Sequence, residues 1–133
     1  MSAEESEKLA RRFYESTAPG HREALRAIQA SHVVYDLPEG MPAGAGHFEG
    51  LEDVLERFLT PFYGAFDVHF TAEEFIVTEA TVVVVGRIEG KTRKTSTPVR
   101  VPFVHIWTIA GSHLQRMRGF TDTAVLARAL ATS

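Results

Sequence analysis

Asp122 stands in "RGFTDTAVLARAL", where a strand-like run gives way to a helix-like one. Two chemistries fit it. A carboxylate directly before a helical pattern, with Thr121 beside it, is a good N-cap that accepts the unpaired N–H groups of the first turn. The same carboxylate at the mouth of an apolar cavity can serve as a general base. There its pKa would rise against apolar walls, or fall if Arg116 or Arg118 paired with it. The local sequence does not separate the two.

A second chemistry-bearing residue is His105, in "VPFVHIWTI". Period-2 alternation puts Phe103, His105 and Trp107 on one face of a strand, and Val104 and Ile106 on the other. An imidazole between two large aromatics is either a hydrogen-bonded core histidine or a polar group in an apolar pocket. The other five histidines, at positions 21, 32, 47, 69 and 113, form no HExxH motif. No two of the six are spaced i, i+4, so spacing points to no metal site. His21 and His32 flank a predicted helix and His113 adjoins a predicted turn, all surface positions. In "VVYDLP", Tyr35 and Asp36 point to opposite faces of a strand. Tyr14 adds a phenol on the first helix, and both tyrosines are expected to carry their hydroxyls to a surface. "GAGHFEG" is not a dinucleotide fingerprint, because its third Gly falls one residue late and no βαβ pattern follows.

The elements that must position these groups follow from pattern. Ser2 and Glu5 fit a capping box, and Leu9 and Phe13, with Ala10 and Tyr14 alongside, form an i, i+4 face. "TAPGH" breaks this helix. A second short helix carries Ala24, Leu25 and Ile28 on one side, and "HVVYDL" follows as a strand. "PEGMPAGAGHFEG" reads as a loop throughout. Leu51, Val54, Leu55, Phe58, Leu59 and Phe62 then mark an amphipathic helix disturbed by Pro61. Four strands are expected at 68–78, 81–89, 99–109 and 113–121, with hairpin turns at "EGK" and "AGS". "DTAVLARALA" closes the chain as a helix. Helices before an antiparallel meander predict an α+β domain, in one unit over residues 1–133.

Bulk properties exclude several classes. A net charge of −3 gives no electrostatic reason to expect nucleic acid, and the basic run "GKTRKTSTPVR" reads as a solvated hairpin end. The absence of cysteine rules out disulfides, thiol chemistry and Cys-ligated metals. The acidic start "MSAEESEKLARRF" lacks the apolar core of a signal peptide. The longest aliphatic run, Val82 to Val85, is far too short to span a membrane. A cytoplasmic protein without membrane attachment is the expectation.

The order helix, helix, strand, Gly/Pro loop, helix and four-strand meander resembles the nuclear-transport-factor-2-like superfamily. Within it the chain is most similar to the SnoaL-like polyketide cyclase and ketosteroid isomerase group. The resemblance rests on "HVVYDLPEG", "HFEGLEDVLERF", "VVVVGRIEGK", "PFVHIW" and "LQRMRGFTDTAVL". It implies a cone-shaped fold, a curved and mostly antiparallel sheet with three N-terminal helices enclosing an apolar pocket. It also implies a homodimer packed through the outer sheet face. The steroid-isomerase apparatus is displaced: Leu37, not Asp36, precedes Pro38, and the first-helix Tyr position falls on Phe13. The SnoaL-like cyclases match better, because their His and Asp positions fall on His105 and Asp122. What this implies is a small-molecule acid/base enzyme, an isomerase or aldol-type cyclase, without cofactor or metal. Asp122 would abstract a proton next to a carbonyl, and His105 would donate to the enolate oxygen or relay the proton. Tyr35, Phe48, Phe58, Phe62, Phe103 and Trp107 are candidates for the wall around an apolar, carbonyl-containing ligand. The alternative is a non-catalytic ligand-binding or dimerisation domain in which Asp122 is only a cap.

Overall fold

The computed structural model describes residues 2–16, 21–44 and 46–131. Helix α1 (Ala3–Glu15) opens on the expected capping box, with Ser2 Oγ accepting from Glu5 N–H and Glu5 Oε1 accepting from Ser2 N–H. Its buried stripe is Ser6, Leu9, Ala10 and Phe13. Helix α2 (Arg22–Ile28) leads into β1 (Gln29–Asp36). The break expected at "TAPGH" lies largely outside the described residues.

The segment expected to be entirely loop contains a short strand, β2 (His47–Glu49), antiparallel to β1 with Tyr35 opposite Phe48. The glycines and prolines before it are punctuation. "HFE" itself is free of them, and Phe48 buries its ring against the core. The next helical segment runs as α3 (Leu51–Asp53), a π-helical stretch (Val54–Leu59) and α4 (Thr60–Ala65). The wider spacing has a local cause. Pro61 has no N–H to donate, and the Thr60 N–H and hydroxyl both turn to the Leu55 carbonyl.

The meander is β3 (Phe66–Val77), β4 (Thr81–Thr92), β5 (Pro98–Ala110) and β6 (His113–Thr121), followed by α5 (Thr123–Ala131). All six strands form one curved, unclosed sheet in the order β2-β1-β6-β5-β4-β3. Every pairing is antiparallel except β1 with β6. "AGS" is a turn, with Gly111 and Ser112 at φ of 57° and 63°. "EGK" is not. Strand β4 runs through it to Thr92, and Gly90 lets β3 approach so closely that a Cβ there would lie 2.1 Å from the Asp67 carbonyl oxygen.

A bulge between Ala72 and Glu74 bends β3, and Gly86 on β4 faces that bend. A Cβ at Gly86 would meet the Thr71 oxygen at 2.1 Å and the Phe103 ring at 2.7 Å. The inward face of β5 consists of Val99, Val101, Phe103, His105, Trp107 and Ile109, all buried, so the predicted alternation holds. These side chains meet Phe13, Phe58 and Phe62 from the helices in one core.

Candidate functional site

The inner face of β5 places His105 among rings. Phe103 lies 4.3 Å away between centroids, and Tyr14 stacks on the imidazole at 5.8 Å with 17° between planes. Phe70, Trp107 and Phe13 complete the surround at 5.9, 6.4 and 6.5 Å. Burial in this apolar shell drives the imidazole pKa down to about 3, so His105 is neutral in ordinary solution. Its Nδ1 lies 2.7 Å from the Tyr14 hydroxyl, which also accepts a bond from Trp107 Nε1 at 2.9 Å. Burial raises the Tyr14 pKa far above the usual phenol value. Nε2 of His105 has no hydrogen-bond partner among the described residues.

Two small voids meet at this imidazole, each of about 10 Å³, room for one water. Phe58, Phe70 and His105 line both. The first continues toward the chain segment after β1 through Leu37, Pro38 and Met41, and toward the end of β6 through Gly119, Phe120 and Thr121. The second runs under the helices past Phe13, Leu59, Tyr63 and Met117. No carboxylate lines either void. Gly119 pairs with His105 across the sheet, and a Cβ there would stand 3.5 Å from the imidazole Cδ2 and 2.8 Å from Leu37. Outside, between α1 and β3, Tyr14 and Phe70 reach an open groove of about 410 Å³ flanked by Arg11 and His69.

Asp122 is exposed at the N-terminus of α5, where its Oδ1 accepts from Val125 N–H at 3.2 Å. It lies one residue beyond Thr121 and lines neither void. Arg116, one of its suggested partners, instead bonds Asp36 at 2.8 Å on the outer face, where Asp36 also meets His47. These partners hold the Asp36 carboxyl below its usual range. Of the candidate wall residues, Phe58 and Phe103 line the voids. Tyr35, Phe48, Phe62 and Trp107 are fully buried in the core behind them.

Both tyrosine expectations are corrected. Tyr35 is buried, its hydroxyl donating to Gln29 Oε1 at 2.6 Å, and Tyr14 turns its hydroxyl inward to His105. The physical reason is that each hydroxyl finds a polar partner inside. For Tyr14 it lies on a strand 91 residues away, and for Tyr35 six residues back on β1 itself, where the pairing with β6 shifts register. Phe70 and Met41 are cavity-region residues that sequence reasoning missed, whereas Tyr14 was noted as a phenol on the first helix but expected to face the surface. Among the described residues, no group of three or more His, Asp or Glu side chains converges in a way that could hold a metal. None of the described helices is long and apolar enough to cross a membrane.

Comparison with solved structures shows the nuclear-transport-factor-2-like fold. An NTF2-like protein from Burkholderia xenovorans LB400 is 25% identical, with 98% of each chain covered and a TM-score of 0.85. TerC, crystallised with polyporic acid, is 24% identical over 96% of this chain and 98% of its own, TM-score 0.85. A candidate SnoaL-like polyketide cyclase from Jannaschia sp. CCS1 is 20% identical over 98% of this chain and 94% of its own, TM-score 0.83. No curated protein matches the chain significantly. The SnoaL-like domain model matches residues 10–117, a span that takes in Tyr14, His105 and Trp107 and stops before Asp122. On that match, covering most of its length, the chain belongs to the SnoaL-like domain family.

Proposed function

We propose that this protein binds a small apolar carbonyl compound beside His105 and catalyses proton transfer next to the carbonyl, as an isomerase or aldol-type cyclase. The observation that carries the reading is the free Nε2 of His105. It is a polar atom without a protein partner among the described residues, on a side chain that lines both apolar voids. A hydrogen-bonding group preset in a water-poor pocket stabilises oxygen charge as it develops. The base in this reading is Asp122. To reach the cavity its side chain must leave Val125 N–H and pass Thr121, with Thr121 or Thr123 taking over the cap. A ligand must also part the aromatic wall, where Phe70 is only half-buried and sits on the edge strand.

The exposure and capping bond of Asp122 favour a second reading, a ligand-binding domain without turnover. The two separate in one experiment. Aryl ketones with acidic α-hydrogens are incubated in deuterated buffer, and α-deuterium incorporation is followed by NMR with wild type and Asp122→Asn. Exchange by wild type that vanishes in Asp122→Asn supports the enzyme. Exchange undiminished in the variant sinks the role of Asp122, because Asn caps as well as Asp and the fold is retained.

Homodimerisation is part of the same proposal. Ile76 is 54% and Phe120 48% exposed, the two exposed large hydrophobics of the described residues. Strand register puts both on the outer sheet face with the half-buried Val83, Val85, Val104 and Ile106, an apolar surface suited to a second copy.

A further inference from the structure

Of the two hydrogen arrangements open to the Trp107–Tyr14–His105 chain, one leaves only Nε2 of His105 without a protein partner. Indole N–H can only donate, so the Tyr14 oxygen must accept from Trp107. A phenol has a single hydrogen, and the acceptor within its reach is Nδ1 of His105, 2.7 Å away. The reverse arrangement, Nδ1–H donating to Tyr14, would give the phenol oxygen two incoming bonds and leave its own hydrogen without a protein acceptor among the described residues. That leaves two groups without partners, the phenol hydrogen and Nε2, against Nε2 alone when Tyr14 donates, and each unmade bond costs stability. The imidazole also cannot hold both protons cheaply, because no carboxylate lines the voids and its neighbours are rings.

We infer that Tyr14, held in turn by Trp107, is a positioning residue that locks His105 in the tautomer protonated on Nε2, so that the imidazole offers a ligand a donor and not a base. The inference rests on the ligand-site reading above and narrows it. Proton relay through Nε2 is excluded while Tyr14 is in place. The ligand class is one with an acceptor oxygen (carbonyl, enolate or phenolate) on a flat apolar skeleton that fits between aromatic rings. Amines and other donor-only ligands find no acceptor at His105.

Two-bond proton–nitrogen NMR spectra of histidine-labelled protein test the tautomer, with the His105 signals assigned by their loss in His105→Gln. Wild type should show a single form, Nε2 protonated and Nδ1 of the acceptor type. Tyr14→Phe, which removes the phenol but keeps the ring, should release His105 into a mixture of both tautomers. A protonated Nδ1 in wild type overturns the inference, and so does an unchanged single form in Tyr14→Phe. If Tyr14→Phe fails to fold, the wild-type spectrum still decides.

The ligand class is tested with acetophenone and α-methylstyrene, which share a shape and differ in the acceptor oxygen. Both demand the same displacement of the aromatic wall, so that cost cancels in the comparison. Acetophenone should bind up to about 10-fold tighter, the size of one net hydrogen bond, and shift the Nε2 proton. The preference should disappear in His105→Phe. Equal binding of both probes overturns the donor role. Failure of wild type to bind either one overturns the ligand-site reading instead, and leaves the tautomer result standing by itself.

Discussion

Acidification should destabilise this protein through one buried imidazole. In the unfolded chain His105 titrates near the ordinary value of about 6.5, whereas burial among rings lowers the folded value to about 3. The sign follows directly: between those values the unfolded state binds a proton that the folded state refuses. Stability is therefore undiminished above about pH 6.5 and falls as pH drops toward 3. Each unit of pH in that window costs about 1.4 kcal/mol, so moving from pH 7 to pH 5 removes about 2 kcal/mol. That is a measurable share of the roughly 5–15 kcal/mol typical of a domain.

The assay is urea unfolding at pH 7 and pH 5 for wild type and His105→Gln, whose amide can still accept from Tyr14. Wild type should lose about 2 kcal/mol more than the variant over that interval. Other titrating groups are common to both proteins. His47, whose pKa is raised by Asp36 and Glu49, works in the opposite direction in each, and its effect cancels. Equal losses in the two proteins would refute the reasoning, since they would mean that His105 is charged or solvated in the folded state.

Three further outcomes follow from the geometry. Asp122→Asn should leave urea stability nearly unchanged while Asp122→Ala costs about 0.5–2 kcal/mol, the signature of the Val125 capping bond. Tyr35→Phe should cost about 1–3 kcal/mol in the same assay, because Gln29 Nε2 already lacks a protein partner among the described residues and the change would strip its Oε1 as well. Phe120→Glu should shift sedimentation toward the monomer without lowering the monomer's own stability. An unchanged sedimentation profile of a wild-type dimer would place its interface elsewhere.

The strands of the meander were legible because their burial alternates cleanly. In β5 the pattern from Val99 to Ile109 puts every second side chain in the core, and a period of two survives any error of turn placement. The capping box at Ser2 and Glu5 was legible for a related reason, since both partners lie within one turn. Two local readings failed where geometry depends on a neighbour. "EGK" carries turn residues yet continues β4, because Gly90 serves the close approach of Asp67 on β3 rather than a reversal. "HFE" sits among glycines yet pairs with β1, because Phe48 gains burial there.

What the sequence by itself determined was the division into helices and meander, the inward face of β5, and the presence of His105 on that face between Phe103 and Trp107. These follow from periodicity and short-range chemistry, which adjacent residues encode. Only the tertiary structure decided what that histidine can do. Tyr14 lies 91 residues away in the chain, and its hydroxyl reaches Nδ1 because α1 packs across the concave face of the sheet. The same packing turns the Tyr14 hydroxyl inward while its ring still reaches the groove between α1 and β3, and Asp122 stands outside on its cap. A hydrogen bond between residues so far apart depends on how two elements come to rest on each other, and no local pattern in either one records it.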